Sequence, residues 1–142
     1  MKPCKHNIKL ERVEAIVTVM RESKQARGVL SESEGCYCAL GCIAEAYRRA
    51  HPDNSRWSDI RRLPSGGTYR DFVIDVTEGS LIPRSGTLPY VVKEWALNAR
   101  YREAMIFFDE NRFTVGVLMD SLNDSKGKSL SWFADVLEGK EV

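Results

Sequence analysis

Across residues 8–24 the apolar positions Leu10, Val13, Ile16, Val17 and Met20 recur at intervals of three and four, with charges between them. That period gathers them on one face of an amphipathic helix. Gly28 marks a break. Ser31-Glu32-Ser33-Glu34-Gly35 reads as a polar turn, flanked by Arg27–Leu30 and Cys36–Cys38 as the arms of a short hairpin. A second helix is predicted from about Cys38 to Ala50, with Leu40, Ile43, Ala44 and Tyr47 on one face. Arg48 and Arg49 suit its carboxyl end, where the backbone dipole favours positive charge, and Pro52 lies just beyond.

The middle of the chain is less regular. Trp57–Leu63 reads as a short helix and Pro64-Ser65-Gly66-Gly67 as a loop. Tyr69–Val76, rich in aromatic and β-branched residues, reads as a strand or a buried irregular segment. Gly79, Pro83 and Gly86 keep the next stretch open. Pro89 is a good first-turn residue, and Val91, Val92, Trp95 and Ala96 make an apolar stripe running to about Arg102. Ala104–Phe108 fits helix or strand, and Asp109-Glu110-Asn111 fits a turn. Phe113–Leu122 has a helical pattern despite Gly116, and Asn123–Lys128 reads as a loop. Ser129 is placed to cap a last helix whose Leu130, Phe133, Val136 and Leu137 face inward.

These elements sum to one compact α+β domain over residues 1–142, mainly helical, with about five helices and a small hairpin or short sheet. Residues 1–7 read as a mobile arm and 53–86 as an irregular insert. With 142 residues of which 43% are hydrophobic, the chain can bury a core without a staple. The charge is nearly balanced, 21 basic against 20 acidic side chains, for a net +1. Broad nucleic-acid binding, which needs a basic footprint, is therefore not expected. No stretch has the roughly 18 apolar residues of a membrane helix, and the N-terminus lacks the apolar centre of a secretory signal. The expected location is the cytoplasm.

Three segments, in order, carry a resemblance: Gly35-Cys36-Tyr37-Cys38-Ala39-Leu40-Gly41-Cys42-Ile43, then Leu88-Pro89-Tyr90-Val91-Val92-Lys93-Glu94-Trp95, then Ser121-Leu122-Asn123-Asp124-Ser125-Lys126-Gly127-Lys128-Ser129. The series resembles a group of small, uncharacterised proteins of tailed phages, prophages and actinobacteria. Their pattern runs G-Y-C-C-L-G-x-L, L-P-x-x-V-x-x-W and L-N-D-x-G-x-S before a closing helix. The likeness covers about half the chain. Ala39 stands where the pattern has its second cysteine, Lys126 lengthens the Asn-Asp-Gly loop by one, and residues 50–86 have no counterpart. The resemblance implies a phage or mobile-element origin, hence a host-cytoplasm setting, and implies no particular reaction.

Cys38 is the first candidate for chemistry. At a helix start its sulfur would face unpaired backbone N–H groups and the positive dipole end, which favour a thiolate and suit a nucleophile. Asn123 and Asp124 are then candidate orienting groups, although Asn-Asp before a glycine loop is also an ordinary turn device. A base is missing. His51 lies past the far end of the same helix, roughly 18 Å away at 1.5 Å per residue, and His6 lies in the N-terminal arm. A packed helix-start cysteine is the simpler reading. Cys4, His6, Cys36 and Cys38 form an alternative zinc quartet, with tighter spacing than usual structural knuckles. Gly66-Gly67 and the 125–129 loop lack phosphate-loop spacing, so no cofactor is expected.

Arg56, Arg61, Arg62 and Arg70, interleaved with Trp57 and Tyr69, make the densest basic and aromatic cluster; Asp53, Asp59 and Asp71 dilute it, so an ordinary charged face with local ion pairs is the simpler reading of its composition. Trp95 and Trp132 fall on helical faces and read as core. The expectation is a small cytoplasmic protein that acts by binding a host protein or nucleoprotein complex, inhibiting a host defence or host process. The Arg56–Arg70 cluster is its contact surface. A cysteine-dependent hydrolase or transferase using Cys38 is the alternative, a zinc-stapled interaction module the second, and homo-oligomerisation stays open.

Overall fold

A computed structural model describes residues 10–54, 56–57, 61, 67–78, 119 and 121–140. Within them the chain is a mainly helical α+β protein with a small mixed sheet. Helix α1 (Leu10–Glu22) leads into β1 (Lys24–Gln25), and β2 (Ser31–Ser33) and β3 (Cys36–Tyr37) lead into α2 (Ala39–Ala50). Helix α3 (Gly67–Thr77), a π-helical turn (Ser121–Ser125) and α4 (Leu130–Leu137) follow.

Helix α1 turns Val13, Ile16, Val17 and Met20 inward, as the spacing requires. Its carboxyl half packs against α4, where Phe133, Ala134 and Leu137 are buried. Helix α2 lies against both α1 and α3, and its Ala39, Leu40, Cys42 and Ile43 have no exposed surface. These residues join Phe72, Val73 and Val76 of α3 in one apolar cluster, completed by Met119 and Leu122. The termini of the later helices are specified locally. Cys38 N-caps α2, and Ser129 caps α4 by accepting a hydrogen bond from the Trp132 amide at 3.0 Å.

The sheet orders its strands β1-β3-β2. Strand β3 pairs parallel with β1 and antiparallel with β2, where the register slips between Ser31 and Ser33 as in a bulge. The hairpin therefore forms one step later than expected: Ser31–Ser33, read as turn, is its first strand. Gly35, with φ +81°, makes the reversal that a β-carbon would strain.

Two further differences concern the middle and end of the chain. Tyr69–Val76 is helical, not a strand or an irregular segment. Phe72, Val73 and Val76 face the core while Asp71 is exposed, a helical spacing that outweighs the β-branched composition. The 53–86 segment thus contains a regular element. Asn123 and its neighbours, read as loop, form a π-helical turn. The arm at 1–7, most of the helix expected over 57–63, and the elements expected over 89–118 lie outside the described residues.

Candidate functional site

Two places bring the candidate residues together, one around Asn123 and one over helix α2. At the first, the Asn123 side chain is fully buried and spends all its hydrogen-bonding capacity on the protein. Its Oδ1 accepts from Gln25 Nε2 at 2.7 Å and from the Ala39 amide at 3.2 Å. Its Nδ2 donates to the Ala26 carbonyl at 2.9 Å and to Asp124 Oδ1 at 2.7 Å. The same Asp124 oxygen accepts from the Gly28 amide at 3.0 Å. Arg27 Nη1 donates to the Asn123 carbonyl, and Gln25 Nε2 donates to the Lys128 carbonyl at 2.7 Å. The turn is laced to the β1 segment and to the start of α2.

Cys38 stands one residue from this network, so the structure does bring Cys38, Asn123 and Asp124 into one neighbourhood. Its side chain is buried at 2% exposure, and Sγ accepts from the Gly41 amide at 3.3 Å. The thiol thus serves as the helix cap in the way a serine hydroxyl does. His51 is at the opposite end of α2 and bonds Glu78 at 2.9 Å. Cys36 donates to Glu32 Oε2 at 3.7 Å, and burial and that carboxylate raise its thiol above the ordinary range. Burial, reinforced by Cys38 and Glu45, pushes the Cys42 thiol up much further. Of the zinc quartet, Cys4 and His6 lie outside the described residues. Among the described residues no three metal-ligating side chains converge.

The second place is a groove of about 330 Å³ along α2 from Gly41 to Arg48. Leu30, Ser31, Ser33 and Tyr37 from the hairpin form one side, Gly41, Ala44, Glu45 and Arg48 the helical side, and Trp57 and Arg61 the third. The Arg61 carbonyl accepts from the Leu30 amide at 2.8 Å and the Ser31 amide at 3.2 Å, which fixes that loop to the hairpin. Trp57 is held by its Nε1 donating to Asp75 Oδ2 at 2.9 Å and by an edge contact with Phe72, ring centroids 5.2 Å apart.

The arginines differ in their electrostatic state. The Arg56 guanidinium covers the Trp57 ring at 4.6 Å and lies 3.4 Å from both Asp71 and Asp75. One cation between two carboxylates offers no free positive charge. Arg48 and Arg49 are both spent on Glu45, a carboxylate with 7% exposure, and Arg49 also reaches Glu22 at 2.5 Å. Arg61 is exposed and has no ion-pair partner among the described residues. Arg62 lies outside them, and Tyr69 and Arg70 fall within α3. Asp71 is one of the carboxylates expected to dilute the cluster, whereas Asp75 as a partner of Arg56, and the Gln25, Ala26 and Ala39 partners of Asn123, were missed by sequence reasoning. A period-3.6 reading of 68–78 would have placed Asp71 and Asp75 together on one face of a helix.

Comparison with protein families, with curated proteins and with solved structures finds no match for this chain. No helix among the described residues is long and apolar enough to cross a membrane.

Proposed function

We propose that the chain is a protein-binding module of phage or mobile-element origin, acting in the host cytoplasm on a host protein or nucleoprotein complex and inhibiting a host defence or process. The observation that carries this reading is the groove over α2. Trp57 and Arg61, residue types that dominate binding energy at interfaces, stand on one wall of it; the Trp57 ring is fixed from behind by Asp75 and Phe72, and the Arg61 backbone is tied to the hairpin. A pre-fixed ring such as Trp57 loses little freedom on docking, so more of its contact energy is retained as affinity. The pairing of Arg56 with two aspartates favours a mixed-charge protein surface over a nucleic-acid backbone. The test compares capture from host lysate by wild type and by a Trp57→Ala/Arg61→Ala variant, each verified as folded by circular dichroism. Loss of a captured protein with the variant is expected; equal capture of every partner would sink the reading.

A cysteine-dependent enzyme is the second reading, supported by Cys38 at the start of α2 with Asn123 on the adjacent amide. It requires a movement that uncovers a thiol with 2% exposure. Full biological activity in Cys38→Ser would end it.

A further inference from the structure

Glu78, immediately after α3, is the one non-glycine residue with a left-handed backbone among the described residues, at φ +52°. A side chain there costs about 1 kcal/mol or more relative to an ordinary conformation. The strained residue places its carboxylate between a guanidinium and an imidazole carried by different helices. Oε1 lies 2.9 Å from His51 Nε2, at the end of α2, and 3.7 Å from Arg12 Nε, on α1.

Arg12 forms the floor of this site. Its side chain is 9% exposed, Nη2 donates to the Val76 carbonyl at 3.0 Å, and the guanidinium lies 5.9 Å over the Tyr47 ring. Its Nη1 is buried and has no hydrogen-bond partner among the described residues. A guanidinium taken this far from water needs a close carboxylate to offset its desolvation, and one contact at 3.7 Å is a loose match. His51 forms the rim. Its ring packs at a tilt of 42° against Tyr47 with centroids 4.5 Å apart, and its side chain is 44% exposed. A surface concavity of about 690 Å³, lined by His51, Asn54, Asp53 and Arg56 among others, opens beside it. Asn54 donates to the Tyr47 hydroxyl at 3.0 Å, and Asp53 is the one carboxylate on the concavity wall among the described residues.

We infer that Arg12 and His51 form a carboxylate-binding site that Glu78 fills in cis, and that an external small carboxylate is the class of ligand it accepts when Glu78 withdraws. The inference is independent of the groove over α2. It gives the strain at Glu78 a purpose: withdrawal relaxes the backbone at the end of α3 while the incoming anion takes over the contacts to Arg12 and His51.

Glu78→Gly tests it, because the substitution removes the carboxylate and suits the left-handed backbone at once. Sodium acetate is titrated against sodium chloride at equal ionic strength and neutral pH. Thermal unfolding and the His51 ring signals in proton–carbon NMR are followed together. The expected result is a saturable rise of about 3 °C in the Glu78→Gly midpoint with a matching saturable shift of the His51 signals, both absent in wild type. Adding His51→Ala, a surface change that leaves the core intact, weakens the stabilisation at least several-fold. Acetate acting no differently from chloride on Glu78→Gly would overturn the site. Equal stabilisation of wild type, or of the doubly substituted protein, would do the same.

Discussion

The side-chain oxygen of Asn123 accepts a hydrogen bond from the backbone amide of Ala39, 84 positions earlier, at 3.2 Å. That amide is one of the donors which the first turn of α2 leaves without an intrahelical partner. With Cys38 accepting from the Gly41 amide, two of the orphan donors at this buried helix end are satisfied by side chains. Asn123 does so while also holding Ala26 and Gln25. A single amide therefore joins the π-helical turn, β1 and α2, and its removal leaves several buried groups unpaired.

Asn123→Ala should destabilise the protein by about 3 kcal/mol, since each buried donor or acceptor left unmatched costs about 1–3 kcal/mol. Asn123→Asp should be no better. It replaces the donor to Ala26 with a second carboxylate beside Asp124, which Nδ2 now contacts at 2.7 Å. Urea unfolding checks both: the midpoint should fall with the slope unchanged. A loss below about 1 kcal/mol in both variants would refute the clamp.

Gly41 should tolerate no side chain. A β-carbon built there would lie 2.1 Å from the Leu30 carbonyl oxygen and 3.3 Å from Tyr37 Cβ. The first of these is backbone that also accepts the Cys38 amide at 3.1 Å, so it has nowhere to retreat without losing the start of α2. Gly41→Ala gains about 1 kcal/mol of helix propensity, yet the overpacking should outweigh it, for a net loss of about 2 kcal/mol. Gly28→Ala is the contrast. Its β-carbon would meet nothing within 4 Å, so only the φ of +77° resists it, at about 1 kcal/mol. Denaturant melts of the two variants should rank them in that order.

The ends of α2 and α4 were legible because their signals are local. The three-and-four spacing and a polar or sulfur atom at the cap lie within a few residues of one another. Helix α3 was not, because Val73, Ile74, Val76 and Thr77 favour strand by composition, while what decides is the shared burial of Phe72, Val73 and Val76 against α2. The arginine cluster and its dilution by Asp71 could be read, but not the pairing of Arg56 with Asp75, which depends on α3 being a helix. The role of Asn123 was hidden for another reason. Every partner except Asp124 lies more than 80 positions away, and a buried clamp and a surface turn use the same Asn-Asp pair.

Ser129 should be worth about 1 kcal/mol as the cap of α4, lost in Ser129→Ala and largely kept in Ser129→Asp. The effect should persist in 1 M salt for Ala, since a short hydrogen bond is involved. Arg21→Ala should behave differently. Arg21 bridges α1 to Asp135 at 2.7 Å and Glu138 at 2.5 Å, but all three side chains are partly exposed. Its contribution of well under 1 kcal/mol should shrink with salt. Unfolding midpoints at low and high ionic strength separate the two.

The buried thiol of Cys42 makes stability depend on pH on the alkaline side. Burial, with Cys38 and Glu45 nearby, holds it protonated in the folded state far above its ordinary value of 9.0. The folded state therefore keeps a proton that the unfolded chain releases. Stability is fully present below the unfolded thiol's value and falls as pH rises past it, by about 1.4 kcal/mol per pH unit for this one group. Other groups titrate in the same range, so the measurement is a difference: unfolding free energy of wild type against Cys42→Ala between pH 8 and 10.5. Wild type should lose stability more steeply above pH 9, the difference between the two curves shifting against wild type by about 1–2 kcal/mol at the upper limit. The two curves should run parallel below pH 8. Parallel curves over the whole range would mean that Cys42 ionises in the folded protein and that its surroundings at the centre of α2 admit water.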